Sequence, residues 1–97
     1  MLFEWDEAKS EKNARERGLP FEVAVLLFDS DTLEKPDTRR DYSEERIQAI
    51  GQVEGRFLFC VYTWRGTSEE PVRRIISLRM AKRKEIDAYQ ASITGGR

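Results

Sequence analysis

The residues best suited to chemistry lie between Arg73 and Glu85, where the chain reads RRIISLRMAKRKE. Arg73, Ile75, Ser77 and Arg79 occupy alternate positions, so a strand here projects them from one side at steps of roughly 6.8 Å, with Val72, Arg74, Ile76 and Leu78 on the other. That step is about the spacing of successive phosphates in a nucleic-acid strand. An arginine fork holds a phosphate through two N–H groups and keeps its charge at any working pH. Arg83 follows four residues after Arg79 and could close on the same site. Lys9 and Lys12 fall on one face of a helix by their spacing, and can add charge if that helix borders the sheet. Glu45 and Arg46 open a neighbouring strand and bring a carboxylate near.

Such a set suits RNA cleavage without a metal. Attack of a ribose 2′-OH on its own phosphate needs alignment, a proton acceptor, and cations facing the developing negative charge. Glu45 or a lysine of lowered pKa is the candidate acceptor. Blander roles fit the same residues. RRIISLR also reads as an amphipathic strand with a solvated arginine face, and Lys82-Arg83-Lys84 as a solvated helical turn. Glu45 with Arg46 also reads as a surface ion pair. Glu85 suits an ion pair within the fold as well as catalysis. Trp5 and Trp64 suit core packing as well as base stacking.

Ninety-seven residues make one domain with a single modest core. The chain has no histidine, which removes the commonest general acid/base and the commonest metal ligand together. No metal or cofactor is expected, and catalysis must use carboxylates, lysine, arginine, tyrosine or hydroxyls. Cys60 stands alone in an apolar pattern, which excludes an internal disulfide and suits core packing. The longest apolar patch, Val23–Phe28, is far too short for a membrane span. The opening MLFEWDEAKSEKN lacks the apolar region of a signal peptide, so cytoplasmic residence is expected. A formal net charge of −1 hides a basic C-terminal element and an acid-rich segment from 29 to 45. The basic element fits nucleic acid or an acidic partner protein.

Local signals set the elements that must position these residues. Leu2–Trp5 reads as an edge strand. Asp6 caps a helix over Glu7–Arg17 that Gly18 stops. Pro20 opens a second helix over Phe21–Phe28, which pairs with the first as a hairpin. Thr32–Lys35 is a possible short strand, and Arg46–Val53 the next. Glu54-Gly55 is a tight turn into Arg56–Trp64, apolar on both faces and therefore central. Val72–Arg79 is the last strand, and Ala81–Ser92 a helix that docks through Ile86, Tyr89 and Ile93, with residues 94–97 a frayed tail. The class is α+β: an antiparallel sheet of 3–5 strands, counted from these segments, with an N-terminal helical hairpin and a C-terminal helix.

Three stretches taken together resemble the BrnT toxins of bacterial type II toxin–antitoxin systems: FEWDEAKSEKNARERGLPFEVAVLLFD, EERIQAIGQVEGRFLFCVYTWRG and RRIISLRMAKRKEIDAY. The resemblance implies a RelE-like fold and a ribonuclease that inhibits translation. It also implies a BrnA-like antitoxin whose ribbon-helix-helix end binds operator DNA, so that the toxin meets its promoter only through its partner. By position it implies an active site of Arg79 in an S-x-R-x-A motif, Glu45 and Arg46, supported by Arg65 and Lys9. RNA, free or on the ribosome, is then the substrate. Lys9, Lys12, Arg65, Arg73, Ser77 and Arg83 are its expected phosphate ligands.

One departure qualifies the resemblance. The family often shows Lys-His-Gly after the first helix, where this chain has Glu16-Arg17-Gly18. Leu78 also stands where alanine is common. The alternative is therefore a weakened or inactive homologue that binds its antitoxin without cleaving RNA.

Overall fold

The computed structural model describes residues 1–94. Its elements are β1 (Leu2–Trp5), α1 (Glu7–Arg17), α2 (Glu22–Leu27), β2 (Leu33–Pro36), β3 (Ile47–Val53), β4 (Arg56–Gly66), β5 (Pro71–Met80) and α3 (Arg83–Thr94). Of the tail expected to fray at 94–97, Thr94 ends α3 and the rest lies outside the described residues. Local signals explain most boundaries. The Asp6 carboxylate accepts from the N–H groups of Ala8 at 2.9 Å and Lys9 at 3.2 Å, which starts α1. Glu54 and Gly55, with φ of 50° and 82°, make the two-residue turn that matches the twist of β3 and β4. No helix among the described residues is long and apolar enough to cross a membrane.

The five strands form one sheet in the order β1-β5-β4-β3-β2. Strands β2 to β5 are antiparallel neighbours, but β1 runs parallel to β5. The sheet is therefore mixed, which corrects the fully antiparallel expectation. The reason lies in the placement of α1. Strand β1 pairs only with Val72–Ile75, and its direction delivers α1 to the remaining edge of β5. There the Asn13 side chain donates to the Leu78 carbonyl at 2.9 Å and to the Leu19 carbonyl at 2.7 Å. The helical hairpin is likewise only partial. The helices meet at Ser10, whose hydroxyl accepts from the Phe21 N–H at 2.8 Å. From there α1 follows β5 while α2 packs on β3.

Each sheet face has its own core. Leu19, Phe21, Ala24 and Leu27 cover Ala49, Leu58, Cys60, Tyr62, Ile75 and Leu78 on one side. Burial pushes the Cys60 thiol well above its ordinary pKa, as suits a packing residue. On the other face Tyr89 of α3 joins Ile50, Phe59 and Val61, and its hydroxyl donates to the Asp31 carbonyl at 3.0 Å.

The ladder between β4 and β5 is irregular. Val61 pairs with Ser77 and Tyr62 with Ile75, which leaves Ile76 as an extra residue. Alternation therefore breaks inside RRIISLR. Arg73 projects to the α1/α2 side, while Ser77 and Arg79 project to the α3 side. The expectation that Arg73, Ser77 and Arg79 share a face is wrong for this reason.

Gly51 marks the closest approach of α2 to the sheet. A Cβ there would sit 2.6 Å from Cδ1 of the fully buried Leu27 and 3.2 Å from Cγ2 of Thr32. Gly51→Ala is expected to destabilise the fold by about 1–3 kcal/mol through overpacking. Thermal unfolding checks this, and an unchanged midpoint contradicts it.

Candidate functional site

Strands β2 and β3 are neighbours, so the segment 37–46 between them leaves the sheet and returns to the same place. The Asp37 N–H donates to the Arg46 carbonyl at 2.8 Å and closes its base. The fully buried Asp37 carboxylate organises this loop. It accepts from Arg39 Nε at 2.8 Å, Arg39 Nη2 at 2.9 Å and Gln48 Nε2 at 3.1 Å. The Arg39 fork holds its pKa far below the ordinary carboxylate value despite burial, which pushes the other way. Arg39 thereby lies over the Phe59 ring, 5.6 Å from its centroid.

At the other end of the loop, Glu44 accepts from Arg46 Nε at 3.0 Å and from Arg65 Nη2 at 3.0 Å. The Arg46 bond, aided by Arg65, lowers the Glu44 pKa against the opposing effect of desolvation. Held through Nε, Arg46 stacks 4.3 Å from the Tyr42 centroid. Both of its terminal nitrogens are free of hydrogen bonds among the described residues.

Of these side chains Asp37, Arg39, Tyr42 and Arg46 wall a cleft of about 630 Å³ on the α3 face of the sheet, with Lys9 and Ser77 helping to complete it. Four cations line it, Lys9, Arg39, Arg40 and Arg46, against one acid, Asp37. An adjoining recess of about 610 Å³ shares Arg40, Tyr42 and Arg46 and adds Glu45. Glu45 is exposed, and its carboxylate has no hydrogen bond or ion pair among the described residues. Its carbonyl accepts from the Thr63 hydroxyl at 2.7 Å. Low-dielectric walls with this excess of positive charge favour a polyanion. Among the described residues no group of three histidine, cysteine or carboxylate side chains is placed to hold a metal.

The remaining residues singled out in the sequence lie elsewhere or are occupied. Arg79 shares the sheet face and stacks 4.0 Å from the Phe59 centroid. Its two terminal nitrogens each donate to Glu85 at 2.9 Å. Burial pushes the Glu85 pKa up, but Arg79 and the Lys82 N–H outweigh it and leave the carboxyl below its ordinary value. Glu85 is thus an ion-pair partner and a poor proton acceptor. Lys12 borders a smaller recess beside the cleft. Arg65 reaches the site only through Glu44.

Arg83 does not line the cleft; it stands on the solvent side of α3, 87% exposed, and pairs with Asp87 at 3.4 Å. Arg73 is excluded by the bulge. Its guanidinium lies 3.9 Å from the Phe28 centroid and 4.7 Å from those of Tyr62 and Trp64, an aromatic enclosure that offsets its desolvation. Trp5 packs against the core on that side.

Sequence reasoning missed Asp37, Arg39, Arg40, Tyr42 and Glu44, since the segment reads as an acidic connection. The available signals were Asp-x-Arg directly after Pro36 and the Tyr42–Arg46 pair.

An α+β domain with a cationic cleft across one sheet face is suited to hold a nucleic-acid backbone. A family model described as the ribonuclease toxin BrnT of type II toxin–antitoxin systems matches residues 5–85, and the chain belongs to that family. No curated protein matches it significantly.

Asp37→Asn is expected to cost about 1–2 kcal/mol near neutral pH, at the lower end for a charged hydrogen bond because Arg39 is 54% exposed. With a depressed folded pKa, Asp37 stabilises fully above its ordinary 3.8 and loses that contribution as pH falls further. The variant and the parent should therefore converge in acid. Urea unfolding across pH checks this; a gap that persists or widens below pH 3.8 contradicts it.

Proposed function

We propose that this chain is an endoribonuclease that halts translation by cleaving RNA without a metal, in the cleft between the 37–46 loop and α1. The observation that carries this is the convergence there of Lys9, Arg40 and Arg46 beside an unpaired carboxylate, Glu45. The scissile phosphate sits against the free nitrogens of Arg46 and the Lys9 ammonium. Both hold the charge that builds on the non-bridging oxygens. Glu45 takes the proton of the ribose 2′-OH as the O2′–P bond forms and the P–O5′ bond breaks. Tyr42 returns a proton to the leaving 5′ oxygen, which leaves a 2′,3′-cyclic phosphate. Asp37 and Glu44 act through the arginines they orient. Arg79, with its fork on Glu85, supports the cleft's edge from the Phe59 ring.

The family carries with it an antitoxin partner. A BrnA-like ribbon-helix-helix protein fits that role, neutralising the toxin in the cytoplasm and carrying the pair to operator DNA. The RelE-like kinship of the fold belongs to the same proposal.

A second reading rests on the Arg79–Glu85 fork and on Arg17 in the histidine position. The chain would then be an inactive homologue that binds antitoxin. Purified protein and RNA separate the two. The parent should cleave RNA, and Arg46→Ala or Lys9→Ala should lose about 10²–10³ in rate with unchanged circular dichroism. Intact RNA with well-folded parent protein, alongside a stable antitoxin complex, decides for the second reading.

A further inference from the structure

We infer that the recess beside α1 is a second RNA subsite, which holds a backbone phosphate next to the scissile one on a single strand. The inference rests on the RNA-cleavage reading and extends it to the length of substrate bound.

The recess has a volume of about 240 Å³ and shares Lys9, Ile76 and Ser77 with the cleft, so the two are continuous. Lys12 and Arg17 line its far part. Lys9 and Lys12 lie one turn apart on α1; Arg17, eight residues after Lys9 and about 12 Å along the axis, flanks Lys9 on the side away from Lys12. None of the three has a carboxylate within ion-pair distance among the described residues, unlike Arg39, Arg46 and Arg79. Glu16 is the one acid lining the recess, which leaves a positive surplus. The one side-chain hydrogen bond of Arg17 among the described residues is a long one, from Nη1 to the Leu78 carbonyl at 3.5 Å. Ile76, the residue left over by the bulge, offers an apolar surface to a sugar where the two compartments join. Cations that flank such a surface on both sides are placed to hold neighbouring phosphates of one backbone, as in grooves that guide single strands.

The test titrates the full chain with uncleavable 2′-O-methyl RNA, as a dinucleotide and as a strand of about 12 nucleotides, a typical single-strand site. Salt is varied throughout. Lys12→Ala and Arg17→Ala should each weaken binding of the long strand by roughly 3–10-fold and lower the log–log salt slope by about 0.7. The preference for long over short RNA should fall in both. If Arg17→Ala unfolds, the exposed Lys12→Ala carries the test alone. The subsite is overturned by a long-strand affinity and slope in Lys12→Ala equal to the parent's. Equal losses on both lengths, or a loss seen only against an acidic antitoxin peptide, overturn it too. Should the parent bind the long strand with these effects yet cleave no RNA, the subsite stands and the cleavage reading falls.

Discussion

Between Val61 and Tyr62 the β4–β5 ladder skips Ile76, and the side chains of β5 on either side of that residue exchange faces. A regular strand would carry Arg73, Ser77 and Arg79 to one surface. The extra residue instead sends Arg73 into the aromatic core beside Phe28, Tyr62 and Trp64, and leaves Ser77 and Arg79 on the α3 face. Strand β1 ends its pairing at Ile75 and leaves the edge of β5 beyond it to α1, which is held there through Asn13. Lys9 can then reach the same cleft as a loop that starts on the far side of the sheet. One inserted residue and one short edge strand thus decide which cations meet.

The second constraint is how a dense set of guanidinium groups is kept oriented. Each of three arginines on this sheet face is fixed by a carboxylate: Arg39 by Asp37, Arg46 by Glu44, Arg79 by Glu85. All three carboxyls lie below their ordinary pKa values, so these acids stay ionised and make poor bases. The pairings differ in what they leave over. Arg79 spends both terminal nitrogens, Arg39 spends Nε and one terminal nitrogen, and Arg46 spends only Nε. Arg46 therefore presents the most open fork. Groups held in place in this way need little reorganisation when charge develops beside them.

Much of the fold was legible in the sequence because its signals are local. The Asp6 cap, the Glu54-Gly55 turn and the doubly apolar β4 each report on a few neighbouring residues. The parallel pairing of β1 was not, since it depends on strands seventy residues apart in register. The site was legible in part: Lys9, Arg46 and Ser77 were read from charge and spacing, and they line one cleft. Arg73 was misplaced because strict alternation cannot foresee a bulge. The loop residues Asp37, Arg39, Arg40 and Tyr42 were overlooked because their meaning comes from closure of the loop over Phe59, a contact spanning twenty residues. The exposed and unpaired state of Glu45, against the occupied state of Glu85, is a tertiary fact that residue types do not encode.

The central claim is that an RNA phosphate lies between Arg46 and Lys9 on the α3 face of the sheet. A crystal structure of the chain with a 2′-O-methyl RNA strand tests it most directly. The expected result is a phosphate within hydrogen-bonding distance of both terminal nitrogens of Arg46 and of the Lys9 ammonium, with Glu45 facing the 2′ oxygen. RNA seated instead on the opposite face, against Trp64 and the Arg73 enclosure, would contradict it.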